Sequence, residues 1–170
     1  MDIFPISLKL QQQPCLIVGG GHIAYRKAVL LAKAGAVIHV IAPEIESNLL
    51  EIVESSQGQY VQAPFSLDIQ LRNYRLVIAA TNDKAVNIQV FEACEAEKIL
   101  VNSVDDPPHC RFMVPAIIDR SPLVVSIATN GTSPVLSRQI RTQLEATIPH
   151  GMGKLADFSG QWRASVKAKI

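Results

Sequence analysis

Three consecutive glycines, Gly19 to Gly21, stand between an apolar run and a stretch with helical periodicity. The apolar run PCLIV (residues 14–18) is short and continuous, as expected of a strand that is buried on both faces. After the glycines, apolar residues recur at helical spacing as far as Gly35, which is suited to ending a helix. The chain therefore begins with a strand, a glycine turn and a helix, and this order constrains its fold more than any other feature.

The same alternation of apolar runs and helical periods continues after this first unit. We predict four more strands, at residues 36–43, 59–64, 75–81 and 99–105. We predict helices over residues 46–55 and 83–98. This pattern indicates an α/β fold, a Rossmann-like doubly wound parallel sheet, and we assign it to residues 1–113.

After this domain, apolar runs follow one another without a long helix between them. Two apolar runs, FMVPAIID and PLVVSIAT, are close enough to pair as a hairpin that extends or leaves the sheet. Ser133 and Pro134 are suited to the N-cap and first position of a helix that continues to about Thr147. A last helical segment follows, so we predict two further regions, at residues 114–148 and 149–170.

Composition excludes several classes of function. The 16 basic and 15 acidic residues give a formal net charge of +1, so no global field attracts nucleic acid or a membrane surface. The three cysteines are far apart and form no CxxC motif, which favours reduced thiols in a reducing compartment. No apolar segment is long enough to span a bilayer, and we expect a cytoplasmic protein.

The glycine turn fits the dinucleotide-binding pattern G-x-G-x-x-G/A through Gly19, Gly21 and Ala24. In that pattern the first glycine allows a tight turn, the second lets a pyrophosphate approach the backbone, and the third position packs closely. The phosphates then lie at the helix N-terminus, where free N–H groups favour anions. The alternative is a tight turn that binds nothing.

An acidic residue about 20 positions after this pattern would bind the ribose hydroxyls, and Glu44 lies there, just after Pro43. The surrounding sequence APEIES contains no Arg or Lys that would neutralise a 2′-phosphate. The sequence therefore favours NAD over NADP as the cofactor.

Polar residues follow the fourth and fifth predicted strands, at the sheet edge where ligands collect in such folds. Thr81 and Asn82 end the fourth strand, and the following aspartate is also suited to capping the next helix. Asn102, inside the fifth strand, either orients a ligand or satisfies backbone groups. Asp105 and Asp106 end that strand, and one of them could be a general base if it lies near a nicotinamide.

A metal site is a less favoured alternative in the same region. Asp106, His109 and Cys110 carry ligand-type side chains, but their spacing matches no established metal-binding pattern. We therefore predict no resident metal.

Several segments together resemble the N-terminal half of siroheme synthases, the precorrin-2 dehydrogenase and sirohydrochlorin ferrochelatase family. These segments are CLIVGGGHIAYRKAVLLAKAGA, VIAATND, VNSVDD, FMVPAIIDRSPLVVSIATNGTSPVLSRQIR and GQWRASVKAKI. They occur in the family's order and cover essentially the whole chain, and they are far more specific than the glycine pattern alone.

The resemblance implies a cofactor, an activity and a catalytic residue. NAD would contact His22 and Ile23, as well as Pro43 and Glu44, and Asp105 would be the central acid/base residue. Precorrin-2 would lose hydride to NAD⁺ and a proton to a base, giving sirohydrochlorin. Fe²⁺ would then enter the macrocycle as a substrate and replace two pyrrole protons.

The resemblance also implies a homodimer, with residues 114–148 as the dimerisation region and residues 149–170 as the start of a helical segment of the substrate cleft. The family continues this segment as a longer helical domain. Because the tetrapyrrole carries many carboxylates, a local basic cluster should bind it, although each candidate also fits a solvated surface charge. The candidates are Arg26, Lys27, Arg120, Arg138 and Arg141.

Thr129 begins a loop that the resemblance places near the cleft. Many relatives have a serine and two glycines there, whereas this chain has Thr129-Asn130-Gly131. Two other functions remain open: a Rossmann module that senses NAD(H) without turnover, and a chelatase with a vestigial dinucleotide site.

Overall fold

The computed structural model describes residues 2–167. These residues form two compact units, one spanning Phe4–Phe112 and the other containing the chain from Met113 onward together with the first few residues. No helix among the described residues is long and apolar enough to cross a membrane.

The first unit is a five-stranded parallel sheet flanked by helices. Its strands are β1 (Pro14–Val18), β2 (Val37–Ile41), β3 (Tyr60–Val61), β4 (Leu76–Ala79) and β5 (Leu100–Ser103). Its helices are α1 (His22–Lys33), α2 (Ser47–Ser55) and α3 (Lys84–Ala96). The strand order is β3-β2-β1-β4-β5, which confirms the predicted Rossmann-like, doubly wound fold.

Alternate residues of β1 enter two different hydrophobic clusters, one on each face of the sheet. Cys15 and Ile17 pack with residues of α1, whereas Leu16 and Val18 pack with residues of α3. All four are at most 1% exposed, which confirms the prediction of a strand buried on both faces. Burial of a side chain such as Ile17 contributes about 1.5–3 kcal/mol, so this strand anchors the sheet.

The order of the strands creates a crevice beside the carboxyl end of β1. The chain winds from β1 toward β2 on one side and from β4 toward β5 on the other, so β1 and β4 are adjacent at the reversal. Ligands of doubly wound folds bind outside the carboxyl ends of the strands at this point. The glycine turn that follows β1 lies there.

The second unit contains a hairpin and two helices. Strands β6 (Ala116–Arg120) and β7 (Leu123–Ile127) pair antiparallel as a separate two-stranded sheet, so the hairpin leaves the parallel sheet rather than extending it. Helices α4 (Pro134–Thr147) and α5 (Gly151–Lys167) follow. The Ser133 side chain accepts a hydrogen bond from Leu136 N–H, which confirms the predicted N-cap. Residues 168–170 of the predicted last helix lie outside the described residues.

Candidate functional site

The glycine turn is built by close backbone approach. Gly19 has a φ of +121°, and a Cβ at this position would lie 2.4 Å from the Ala80 carbonyl oxygen, just beyond β4. At Gly20 a Cβ would lie 1.9 Å from the Glu44 carbonyl oxygen. Both positions therefore require glycine. Of these two, only Gly19 belongs to the dinucleotide-binding pattern. Among the described residues, no heavy atom beyond the neighbouring backbone lies within 4 Å of a Cβ at Gly21, so that side of the turn is open.

The first turn of α1 presents free donors to the same open side. Tyr25 N–H bonds to the Gly21 carbonyl, so the three preceding helical N–H groups have no partner within the helix. Gly21 is the N-cap and brings no side-chain cap, and no acidic residue lies in the first turn. His22 and Ile23 are exposed there. This helix end is suited to an anion, and the glycine turn leaves the space that a dinucleotide pyrophosphate needs.

Glu44 lies beside this turn. It is not at the end of β2 itself but three residues beyond it. Glu46 N–H donates to the Gly20 carbonyl at 2.8 Å, and the Gln62 side-chain amide donates to the Pro43 carbonyl at 3.1 Å. These bonds fix the loop, while Pro43 and Glu44 remain exposed. The predicted acidic residue is therefore held next to the proposed phosphate site with its carboxylate in solvent.

A buried amide shapes the turn after β4. The Thr81 hydroxyl donates to Asn87 Oδ1 at 2.8 Å, Thr81 N–H donates to the same oxygen, and Asn87 Nδ2 donates to the Thr81 carbonyl. Asp83 accepts hydrogen bonds from Ala85 N–H and Val86 N–H as the N-cap of α3, and Asn82 is exposed. Our sequence analysis did not single out Asn87, because an asparagine inside a helix carries no distinct signal.

We expect Asn87→Ala to destabilise this turn. The change leaves Thr81 N–H and the Thr81 carbonyl without their partner, in a site where Asn87 is 6% exposed. The free energy of unfolding should fall by about 1–3 kcal/mol, measured by urea denaturation. Asn82→Ala is the matched control and should leave it within about 0.5 kcal/mol, since Asn82 is exposed. Equal stability of the Asn87 variant and the wild type would contradict this account.

Asp105 occupies an unusual backbone conformation at the end of β5. The predicted strand continued to Asp105, but β5 ends at Ser103 because the chain turns, and Asp105 has a φ of +58°. Asp106 N–H closes the turn by donating to the Ser103 carbonyl at 3.3 Å. Asp105 is exposed, whereas Asp106 is half-buried and contacts His109, with Oδ2 and Nδ1 2.8 Å apart. Of the two predicted general bases, Asp105 is thus the accessible one.

Lys27 of α1 lies close enough to this turn to interact with its charge. Burial lowers the pKa of the Lys27 ammonium, and the Asp105 carboxylate opposes part of this shift. The neighbouring Arg26 adds a further lowering. A cation and a carboxylate therefore share the edge of the sheet beside the glycine turn.

Asn102 carries the second polar group of this edge. Its Nδ2 donates to the Phe112 carbonyl at 2.9 Å and to Cys110 Sγ at 3.3 Å. Its Oδ1 is buried and has no partner among the described residues. A buried acceptor without a donor is costly, so Oδ1 is suited to accept a hydrogen bond from a bound molecule. The two interpretations of Asn102, backbone partner and ligand contact, are compatible.

The thiols of the first unit are protonated groups. Burial raises the pKa of Cys15 to about 11 and that of Cys94 to about 12, and both side chains are fully buried. Burial also raises the pKa of Cys110, whose single S–H lies within hydrogen-bond distance of two main-chain carbonyls. The described residues contain no group of three or more His, Cys, Asp or Glu side chains placed to hold a metal ion.

The other three predicted substrate contacts belong to the second unit. Arg120 Nε donates to the Ile148 carbonyl at 3.1 Å, and its side chain is only 7% exposed. The Thr129 hydroxyl donates to the Ser133 carbonyl at 3.1 Å and contacts the Ser137 hydroxyl. Arg138 is exposed on α4. Their substrate-binding roles stay predictions, and the contacts of Arg120 and Thr129 give those two residues a structural role as well.

Residues 6–116 match the sequence model of a family described as putative NAD(P)-binding. The chain belongs to this family. The match spans the parallel sheet and the whole crevice described above, so a nucleotide site at the glycine turn agrees with the family as well as with the geometry.

Known proteins similar to this chain add detail. The chain is 66% identical to the siroheme synthase of Acinetobacter baylyi over all of its own length and 37% of that protein. It is 46% identical to the siroheme synthase of a Psychrobacter species, again over its whole length and 35% of the relative. The chain thus spans little more than a third of these relatives, and the predicted resemblance to siroheme synthases is confirmed.

A solved structure is also similar. SirC, a precorrin-2 dehydrogenase, matches 95% of this chain and 79% of its own with a TM-score of 0.77 and 28% sequence identity. The match therefore includes residues of both units.

Proposed function

We propose that this chain oxidises precorrin-2 to sirohydrochlorin in the cytoplasm, with NAD⁺ as the hydride acceptor. The observation that carries the proposal is the accessible Asp105 carboxylate, which lies at the carboxyl edge of a dinucleotide-binding sheet. The similarity to siroheme synthases and to SirC supports precorrin-2 as the substrate. A module that only senses NAD(H) would need no carboxylate at this position.

The residues of the first unit divide the chemistry between them. The turn at Gly19 to Gly21 and the first N–H groups of α1 would hold the pyrophosphate, Glu44 would bind the adenosine ribose, and NAD supplies the hydride acceptor when bound. Asp105 takes the proton that the macrocycle loses and later releases it to water. One hydride and one proton leave the substrate in each turnover, so the charges balance.

Substrate binding requires donors for the carboxylates and acceptors for the pyrrole N–H groups of the macrocycle. We propose that Asn102 Oδ1 accepts a hydrogen bond from a pyrrole N–H, since it is a buried acceptor without a partner among the described residues. Arg138 has no ion pair within the described part of the chain and is a suitable carboxylate partner. The internal contacts of Arg120 and Thr129 favour Arg138 over those two as a direct contact.

We expect NAD to bind more tightly than NADP. The loop beside the glycine turn offers the exposed Glu44 carboxylate and no cation, so a 2′-phosphate would meet repulsion. Calorimetric titration should show this preference, and Glu44→Gln should weaken NAD binding about 10-fold because a charge-assisted hydrogen bond is lost. Glu51→Gln, on the exposed side of α2, is the matched control. Tighter binding of NADP would contradict the assignment.

We also propose that the chain inserts Fe²⁺ into sirohydrochlorin, with Asp105 accepting pyrrole protons in that step too. The iron is a substrate here. An anaerobic assay with purified sirohydrochlorin and Fe²⁺, without NAD⁺, would separate this activity from the oxidation. Iron insertion without any precorrin-2 oxidation would instead support a chelatase with a vestigial dinucleotide site.

We propose that the second unit joins two chains into a homodimer, because it exposes large apolar side chains. Six of them are more than half exposed, namely Val124, Val135, Leu155, Phe158, Trp162 and Val166. Exposed apolar side chains of this size are typical of surfaces that are buried against a partner. Sedimentation at micromolar concentration should show a species of twice the chain mass, and only an 18.5 kDa species would contradict the proposal.

The direct test of the proposed oxidation is to incubate the protein with precorrin-2 and NAD⁺ without oxygen and to follow both products by absorbance. NAD binding without any turnover would favour the sensor instead.

A further inference from the structure

The turn that carries Asp105 is held by a side chain to which neither the proposed chemistry nor the resemblance assigns a role. The Cys110 thiol lies 3.1 Å from the Ser103 carbonyl oxygen and 3.3 Å from the Asp106 carbonyl oxygen, so its single S–H is shared between the two acceptors. These two carbonyls belong to the residues immediately before and after the Val104-Asp105 segment. One side chain therefore contacts both ends of the turn.

Cys110 is itself fixed from the other side. Asn102 Nδ2 donates to its sulfur at 3.3 Å, and Asn102 and Cys110 form an isolated antiparallel bridge. Arg111 N–H donates to the Val101 carbonyl at 2.7 Å, so the segment after the turn is tied to β5. The thiol thus connects the strand, the turn and the returning segment.

The conformation of Asp105 explains why such a connection matters. A φ of +58° lies in the left-handed region, which aspartate tolerates better than most residues but does not prefer. Asp105 is exposed, and no side chain of the described residues forms a hydrogen bond with its carboxylate. Apart from the charge of nearby Lys27, the direction of the carboxylate consequently depends on the backbone of the turn.

We propose that Cys110 is a positioning residue for Asp105, holding the Ser103 and Asp106 carbonyls so that the Asp105 carboxylate faces the crevice. The proposal rests on the proposed function, because it assigns Cys110 a part in the reaction of Asp105. The thiol makes no bond to substrate or cofactor and stays protonated throughout. Misplacement of a reacting group by about 1 Å can cost about 10²-fold in rate, so a loosened turn has a measurable effect.

The test compares Cys110→Ala with Cys110→Ser in the full chain. The alanine variant cannot donate to the two carbonyls and should lower kcat for precorrin-2 oxidation about 10-fold, while the Kd for NAD stays within about twofold. The serine variant keeps a donor and should recover kcat to within about threefold of the wild type. Cys94→Ala is the matched control: it removes a buried thiol from α3, so it should lower the melting temperature without changing kcat.

A wild-type kcat for Cys110→Ala, or equal losses for the alanine and serine variants, would overturn the proposal. A second measurement does not depend on turnover. Asp106 N–H and His109 N–H bond to the Ser103 and Asp106 carbonyls, so their amide hydrogen exchange should be at least about 10-fold faster in Cys110→Ala. If exchange is faster in Cys110→Ala but the wild type does not oxidise precorrin-2, Cys110 still holds the turn. The proposed function is then rejected. Unchanged exchange would reject the positioning role.

Discussion

Asp105→Asn is expected to lower the rate of precorrin-2 oxidation by about 10²-fold or more, which is the usual effect of losing a general base. The amide has nearly the same shape as the carboxylate and fits the same turn, since asparagine also tolerates a φ of +58°. It cannot accept the proton. NAD affinity should therefore stay nearly unchanged, and the melting temperature should remain within a few degrees of the wild type. If Asp105 also serves iron insertion, that rate should fall in parallel.

The matched control for this change is Asp68→Asn. Asp68 is an exposed aspartate in a loop, where its carboxylate accepts a hydrogen bond from the Ser66 hydroxyl. Asp106 is a poor control, because its contact with His109 and its main-chain bonds support the turn that carries Asp105. A wild-type rate for Asp105→Asn would reject Asp105 as the base.

Replacing Gly19 should mainly lower the stability of the protein, whereas replacing Gly21 should mainly weaken NAD binding. Gly19→Ala places a Cβ 2.4 Å from the Ala80 carbonyl oxygen at a φ of +121°. Backbone strain and a steric clash therefore both destabilise the variant. The free energy of unfolding should fall by about 2–4 kcal/mol in urea denaturation. Gly21→Ala should lower it by no more than about 1 kcal/mol, the usual cost of alanine at a helix N-cap, because a Cβ there meets no atom of the described residues within 4 Å and the backbone φ is −91°.

NAD titration separates the two variants further. If the pyrophosphate approaches the backbone at Gly21, the added methyl group should weaken NAD binding by at least about 10-fold in a protein of normal stability. Unchanged NAD affinity in Gly21→Ala would mean that the dinucleotide does not approach this side of the turn. A stable Gly19→Ala protein would show that the backbone at Gly19 relaxes more than the structure implies.

The sequence was sufficient to predict the architecture of the first unit. A run such as PCLIV indicates a strand buried on both faces, because it is short and apolar throughout and is followed by glycine and helical periodicity. The doubly wound class follows from the alternation of elements, whereas the strand order and the separation of the hairpin from the parallel sheet come from the structure. The limits of single strands were less predictable, as β5 shows: it ends at Ser103 although the apolar and polar pattern continues to Asp105.

The parts of the site that the sequence did not predict depend on contacts between distant segments. Gly20 is required because the loop at Glu44 lies against it, and a local pattern contains no information about that approach. Asn87 and Cys110 contact main-chain groups of turns that lie four to seven residues away in sequence. Their roles become visible only when the folded backbone brings donor and acceptor together.

The measurement that tests the central claim most directly is the stoichiometry of a single anaerobic reaction. Excess NAD⁺ and a known amount of precorrin-2 are mixed with the protein, and NADH and sirohydrochlorin are quantified in the same sample by absorbance. We predict one NADH for each sirohydrochlorin formed and no product when NAD⁺ is omitted. Over the same period Asp105→Asn should form about one hundredth of the wild-type product or less. Sirohydrochlorin that forms at the same rate without NAD⁺, or NAD⁺ that binds and is never reduced, would contradict the account.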